Sequence, residues 1–149
     1  MFSIPFGDYP FKVRVQEGKR QIFDVIRKKY VAATPEELVR QHLIHFLVKD
    51  KDYPPALMAI EYPLKLYGAA KFCDIVVFNR ANSPAMIVEC KAPNVKISNA
   101  VFEQAARYNL QLRVPYLLIG NGEQFACGHV DHKKQETRLV GRVPEYHEL

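Results

Sequence analysis

The sequence predicts an α/β protein in which a mixed β-sheet is flanked by α-helices, with an extra β-hairpin at the N-terminus. Several runs alternate apolar and polar residues, two longer segments space apolar residues at helical intervals, and the two kinds interleave without a regular strand-helix repeat. A chain of 149 residues, 48% of them hydrophobic, is large enough to bury one continuous core, so a single domain is expected.

The hairpin rests on "FKVRV" (11–15) and "RQIFDVI" (20–26), which alternate on either side of the turn signal "EGK". Its outer face carries Lys12, Arg14, Lys19, Arg20, Arg27, Lys28 and Lys29, a face that suits solvent or phosphate equally. A helix follows in "ATPEELVRQHLIHFLVKD". Thr34 is its N-cap, Pro35 takes the first helical position, Glu37 completes a capping box, and Leu38, Leu43, Phe46 and Leu47 form its apolar stripe.

After Pro54-Pro55, "LMAIEYPLKLYG" alternates through Met58, Ile60, Tyr62 and Leu64, and Pro63 marks it as an edge strand or a bulge. Two more strands, Phe72 to Phe78 and Ala85 to Lys91, are joined by the turn-rich "NRANSP". A second helix spans about Ser98 to Arg113, capped by Ser98 or Asn99, with Val101, Ala105, Tyr108 and Leu112 on one face. "YLLIG", an Asn121-Gly122 turn and "EQFACGHV" supply two final strands. The resulting division is an N-terminal extension over 1–33, a core over 34–130 and a polar tail over 131–149.

Chemistry enters where charge interrupts apolar strands. Folding the hairpin of Phe72 to Lys91 around a six-residue loop sets Phe78 opposite Ala85, Val76 opposite Ile87 and Asp74 opposite Glu89. Lys91 projects from the same face as Glu89, because strand side chains alternate with period two, and Cys90 points into the packing. Facing carboxylates repel, and the repulsion is relieved by a raised pKa or by a cation between them. Hard oxygen donors suit Mg²⁺ or Mn²⁺, which would assist phosphodiester hydrolysis, with Lys91 orienting water or stabilising developing charge. An ordinary ion-pair network at a strand end accounts for the same spacing.

Asp74, fourteen residues, then Glu89-Cys90-Lys91 resembles the site of the PD-(D/E)xK nuclease superfamily. The chain is more closely similar to the N-terminal nuclease domain of type I restriction enzyme R subunits, through "TPEELVRQHLIHFL", "DIVVFN", "VECKAP", "FEQAARYNL" and "VPYLLIGNG". The resemblance implies a restriction-endonuclease-like core, with Asp74 and Glu89 as ligands of Mg²⁺ or Mn²⁺ and Lys91 as the catalytic lysine. Gln104 and Tyr108 resemble the Gln-x-x-x-Tyr motif that follows such cores. Their four-residue spacing puts both on one helix face, where they would reach a DNA phosphate or base; packing through Tyr108 is the plainer account of that face.

An acid on the first helix often joins such sites, and Glu37 or Glu36 is the candidate, although capping already explains Glu37. Arg40 lies one turn beyond Glu36, placed to pair with it or to meet a phosphate. Cys73 stands where the superfamily often has proline. The sequence holds no Gly-x-x-x-x-Gly-Lys-Ser/Thr loop, so a nuclease module without an ATP-driven motor is expected.

The 21 Lys and Arg outweigh the 16 Asp and Glu by five charges, a bias that favours a polyanionic partner. The functional expectation is a metal-dependent DNA endonuclease domain acting on DNA, as a homodimer or with other restriction or repair subunits. The alternative is a non-catalytic nucleic-acid-binding or assembly module on the same fold. Cys73, Cys90 and Cys127 show no disulfide spacing, and the Cys127, His129, Asp131 and His132 cluster lies too close along one strand end to wrap zinc unaided. With no membrane-length apolar run and no secretory leader pattern, the chain is expected to be soluble and cytoplasmic.

Overall fold

The computed structural model describes Ser3 and residues 9–149. The N-terminal extension is a three-stranded antiparallel sheet rather than a hairpin: β1 (Val13–Gln16), β2 (Lys19–Asp24) and β3 (Lys29–Ala32). Alternation read β2 as running on to Ile26, but Asp24 ends it. Its Oδ1 accepts the backbone N–H groups of Ile26 at 2.7 Å and Arg27 at 2.9 Å, which turns the chain back into β3.

Thr34 caps α1 (Pro35–Asp50) as the sequence predicts, accepting the Glu37 N–H at 3.1 Å. The reciprocal half of the capping box is not made, because the Thr34 N–H goes to the Ala32 carbonyl at 2.9 Å. The apolar stripe is also displaced: Leu38 is exposed, while Val39, Leu43, Ile44, Phe46 and Leu47 are buried. His42 and His45 face the rings of Tyr9 and Phe11, so the N-terminal segment covers a flank outside the expected apolar stripe.

The main sheet has six strands in the order β4 (Met58–Leu66), β5 (Ala69–Phe78), β6 (Pro84–Cys90), β7 (Tyr116–Gly120), β8 (Phe125–Asp131) and β9 (Glu136–Val140). All neighbours are antiparallel except β6 and β7, which are joined through α2 (Asn99–Leu112). β4 is an edge strand, consistent with Pro63. The segment expected to be a tail closes the other edge with β9, and then returns Val143 and Tyr146 to the core. The Tyr146 hydroxyl donates to the Phe78 carbonyl at 2.9 Å, and that of Tyr53 donates to the Pro144 carbonyl at 2.9 Å.

Helices cover both faces of this sheet. Ile75, Val77, Met86, Val88, Cys90 and Leu118 pack with α1, whereas Leu117, Ile119 and Ala126 pack with α2. Ser98 caps α2, its Oγ accepting the Val101 N–H at 3.2 Å, and Arg113 ends it in a left-handed conformation. The buried face of α2 runs through Phe102, Ala105, Ala106 and Asn109, so Tyr108 stands at its margin rather than its centre. All three cysteines are buried and unpaired, and among the described residues no helix is long and apolar enough to cross a membrane.

Candidate active site

Pairing of β5 with β6 sets Ile75 against Val88 and Val76 against Ile87, the register obtained from the sequence. The expected Phe78 and Ala85 pair is absent: the ladder slips by one residue there, and Phe78 meets Pro84. The ladder ends at Ile75 and Val88, so Asp74 and Glu89 lie just past its last pair. Asp74 Oδ2 accepts the Cys90 N–H at 2.7 Å, which locks the first acid to the backbone directly after the second.

A local irregularity in β5 aims Asp74. Ile75 and Val77 face α1, and strict alternation would send Cys73 there as well. Cys73 packs instead with Val76, Ile87 and Val114 on the other face. The opposing edge strand is distorted at the same level: Glu61, across from Asp74 in the register that pairs Ile60 with Ile75 and Tyr62 with Cys73, has φ of 52°.

Glu89 and Lys91 straddle the end of β6. Lys91 Nζ lies 3.3 Å from Glu89 Oε1, and the Lys91 N–H donates to the Gly120 carbonyl at 2.8 Å, continuing the parallel pairing past the strand end. Cys90 is in the α1-side core, as alternation requires. Asp74, Glu89 and Lys91 side chains are each a quarter to a third exposed, so solvent or a ligand reaches all three.

Burial raises the Asp74 carboxyl above its ordinary range. The Cys90 N–H and the Arg40 guanidinium oppose this shift, while Glu89 and Glu36 add to it. Arg40 is the hub behind the site. Its Nε lies 3.0 Å from Glu37 Oε2, its Nη1 donates to the Asp74 carbonyl at 3.3 Å, and its Nη2 lies 3.5 Å from Glu61 Oε1. Arg27 reaches in from the N-terminal sheet, 2.6 Å from Glu37 Oε1 and 2.6 Å from Asp24 Oδ2.

The first-helix residues therefore differ from expectation. Arg40 pairs with Glu37, not Glu36, and is buried among its partners rather than presented to a phosphate. Glu37 is buried between two arginines and the Gln41 amide, and Glu36 is exposed. Gln104 and Tyr108 share one surface of α2, where Tyr108 also borders the cavity containing Asp74 and Glu89. Arg27, expected on the outer face of the hairpin, is instead drawn into this ion-pair network, which Asp24 and Glu61 also join. The β4–β5 hairpin, turning at Tyr67-Gly68, sets Glu61 opposite Asp74, a relation that follows from the position of the turn.

Among the described residues, no three His, Cys, Asp or Glu side chains gather closely enough to hold a metal ion by themselves. Two accessible carboxylates are nevertheless what Mg²⁺ ordinarily takes from a protein, the rest of its shell coming from water and phosphate oxygens. The donor set fits that ion and is too sparse for calcium or structural zinc.

Residues 35–144 match the model of the family described as type I restriction enzyme R protein N terminus (HSDR_N). The chain belongs to that family. Among solved structures it is similar to "the fragment structure of a putative HsdR subunit of a type I restriction enzyme from Vibrio vulnificus YJ016", at 19% identity and a TM-score of 0.48. That similarity covers 71% of this chain and 22% of the other, so the chain spans under a quarter of that relative's length. No curated protein matches.

Proposed function

We propose that this domain is a Mg²⁺- or Mn²⁺-dependent DNA endonuclease module of the PD-(D/E)xK type, working beside other restriction subunits. The observation that carries the reading is the cluster of Asp74, midway along β5, with Glu89 and Lys91 at the C-terminal end of β6. The Cys90 N–H fixes Asp74, and the Lys91 ammonium sits on Glu89. An ion pair built only for stability has no need of a second, partly buried carboxylate whose protonation is favoured by burial.

In this reading Asp74 and Glu89 hold the cation, which when bound supplies a more acidic water and neutralises charge on the phosphoryl oxygens. Lys91, 3.3 Å from Glu89 Oε1, would stand beside a cation held there. Its ammonium would orient the attacking water or balance negative charge building on the phosphate. Arg40 and Glu37 hold the strand behind the site. Gln104 and Tyr108 flank it on the α2 side, where an amide and a phenol contact the DNA backbone or a base.

The test is cleavage of supercoiled, linear and single-stranded DNA, and of RNA, with Mg²⁺ or Mn²⁺, by the parent, Asp74→Ala and Lys91→Ala. The expected result is metal-dependent DNA cleavage that falls about a hundredfold or more in each variant. Cleavage that persists in both variants refutes the site. Salt-sensitive DNA binding without cleavage by any form would instead favour the non-catalytic module.

A further inference from the structure

The hairpin of β4 and β5 runs beyond the rest of the sheet. Pairing of β5 with β6 begins at Ile75, so from Tyr62 to Leu66 and from Ala69 to Cys73 the two strands pair with each other alone. This two-stranded arm carries every exposed Tyr or Phe among the described residues: Tyr62 at 37%, Tyr67 at 81% and Phe72 at 69% exposure. Between Tyr62 and Phe72 there are two lysines, Lys65 and Lys71, and no Asp or Glu. Tyr62 packs edge-on against Phe78, 5.2 Å between ring centres, but the more exposed rings of Tyr67 and Phe72 on one acid-free, basic ribbon point to a ligand or a partner.

The tip adds a second observation. Tyr67 and Gly68 form the two-residue turn with φ of 51° and 77°. The first position of such a turn favours Asn, Asp or Gly, and a bulky aromatic in the left-handed region is an outlier that stability does not account for. From there Tyr67 lines a groove of about 400 Å³ with Gln104, Arg107, Tyr108 and Gln111 of α2 and Gln135 of the β8–β9 turn. No carboxylate lines it. Tyr108 is the wall between this groove and the Asp74 and Glu89 cavity, and Lys71 Nζ lies 4.3 Å from the centre of its ring.

We propose that this groove binds an unpaired stretch of DNA next to the cleavage site, with Tyr67 stacking on an extruded base. The donors are those that unpaired nucleotides require. Aromatic faces take bases of any sequence, amides meet base edges, Arg107 meets a phosphate in the groove, and Lys71, in the neighbouring cavity across the Tyr108 ring, meets the next. A paired duplex hides the base faces that Tyr67 would need, so the groove selects strands that are single or locally melted. The inference deepens the nuclease reading by naming its substrate class, but binding in the groove requires neither metal nor turnover.

The experiment is fluorescence anisotropy in EDTA with one labelled DNA sequence, offered as a single strand and as a blunt duplex, and with the same sequence as single-stranded RNA. A 2-aminopurine base in the DNA strand reports stacking. The parent should prefer the DNA single strand to the duplex and quench the 2-aminopurine. Tyr67→Ala should lose about tenfold in single-strand affinity together with the quench, leave duplex binding unchanged, and be rescued by Tyr67→Phe. Tyr67→Asn suits the turn better and lacks the ring, so it should lose binding while holding or raising Tm, which separates lost stacking from lost fold. Equal affinity for single strand and duplex, tighter binding of RNA, no binding at all, or an unaffected Tyr67→Ala would each overturn the proposal. Groove binding without metal-dependent cleavage would overturn the nuclease reading alone.

Discussion

Arg40 grips the backbone of Asp74 more closely than its charge: Nη1 lies 3.3 Å from the Asp74 carbonyl and 4.0 Å from its Oδ1. The guanidinium is committed chiefly to Glu37 and to holding β5 in place, which leaves the Asp74 carboxylate incompletely neutralised. A buried ion pair of this kind adds little net stability, yet it is costly to break, because the remaining charge is stranded.

Arg40→Met should therefore destabilise the domain by about 3 kcal/mol, at the low end for a broken buried pair because Arg27 still serves Glu37. Urea denaturation measures this. Glu37→Gln should also lose stability while retaining any rise in Tm caused by Mg²⁺. A variant at Glu37 that keeps its fold but loses the Mg²⁺ effect would return this acid to the metal site.

Asp74 and Asp24 should make opposite contributions to stability as pH changes. Asp74 is raised from 3.8, chiefly by burial, so the folded state keeps its proton to higher pH than the unfolded chain. Its contribution is complete below about pH 3.8 and is lost as pH rises through the folded value. Asp74→Asn should thus gain a few °C in Tm over the parent at neutral pH, and the gap should close in acid. Mg²⁺ should raise the Tm of the parent and not of the variant.

For Asp24, burial alone would raise the carboxyl, but the Arg27 N–H and guanidinium and the Ile26 N–H together hold it below 3.8. Its stabilisation is present above the unfolded pKa and disappears as pH falls through the lower folded one. Asp24→Asn should accordingly lower Tm at neutral pH and cost progressively less in acid.

The basic face of the N-terminal sheet should register in the salt dependence of DNA binding. Lys19 and Arg20 are exposed and lie outside the ion-pair network, and replacing both with Gln should reduce the slope of log affinity against log salt by about two. An unchanged slope would remove this face from the DNA path.

Gly120→Ala should destabilise by about 1–3 kcal/mol through overpacking. A Cβ there would run into the Phe125 ring, which is fully buried. Because the Gly120 carbonyl anchors the Lys91 N–H, cleavage should fall further than stability explains, as a comparison of rate and Tm across temperatures would reveal.

Much of the core was legible because each local signal agreed with the fold. Thr34 and Pro35 start α1, Pro63 marks the edge, and alternation in β5 and β6 fixes which residues face each other. The failures have local physical causes. Asp24 uses its side chain to stop a strand that its neighbours' alternation extends. The 131–149 segment is polar because β9 is an exposed edge, and only Val143 and Tyr146 reveal that it returns to the core. Glu37 was explained by capping, a local motif, whereas its partners are Arg27, ten residues earlier, and Arg40. Long-range ion pairs leave no periodic trace in a sequence.

The network behind the site has an unequal count of charges. Asp24, Glu37, Glu61, Asp74 and Glu89 face only Arg27, Arg40 and Lys91, so with every group ionised the cluster lacks two positive charges. The chain as a whole carries a surplus of five in the opposite sense. A polyanion drawn to the protein by its overall field would thus meet a local patch of its own sign where β6 ends beside the middle of β5. One doubly charged cation held there would bring that patch to neutrality, so approach of a phosphate and occupancy by the ion would be two halves of a single event.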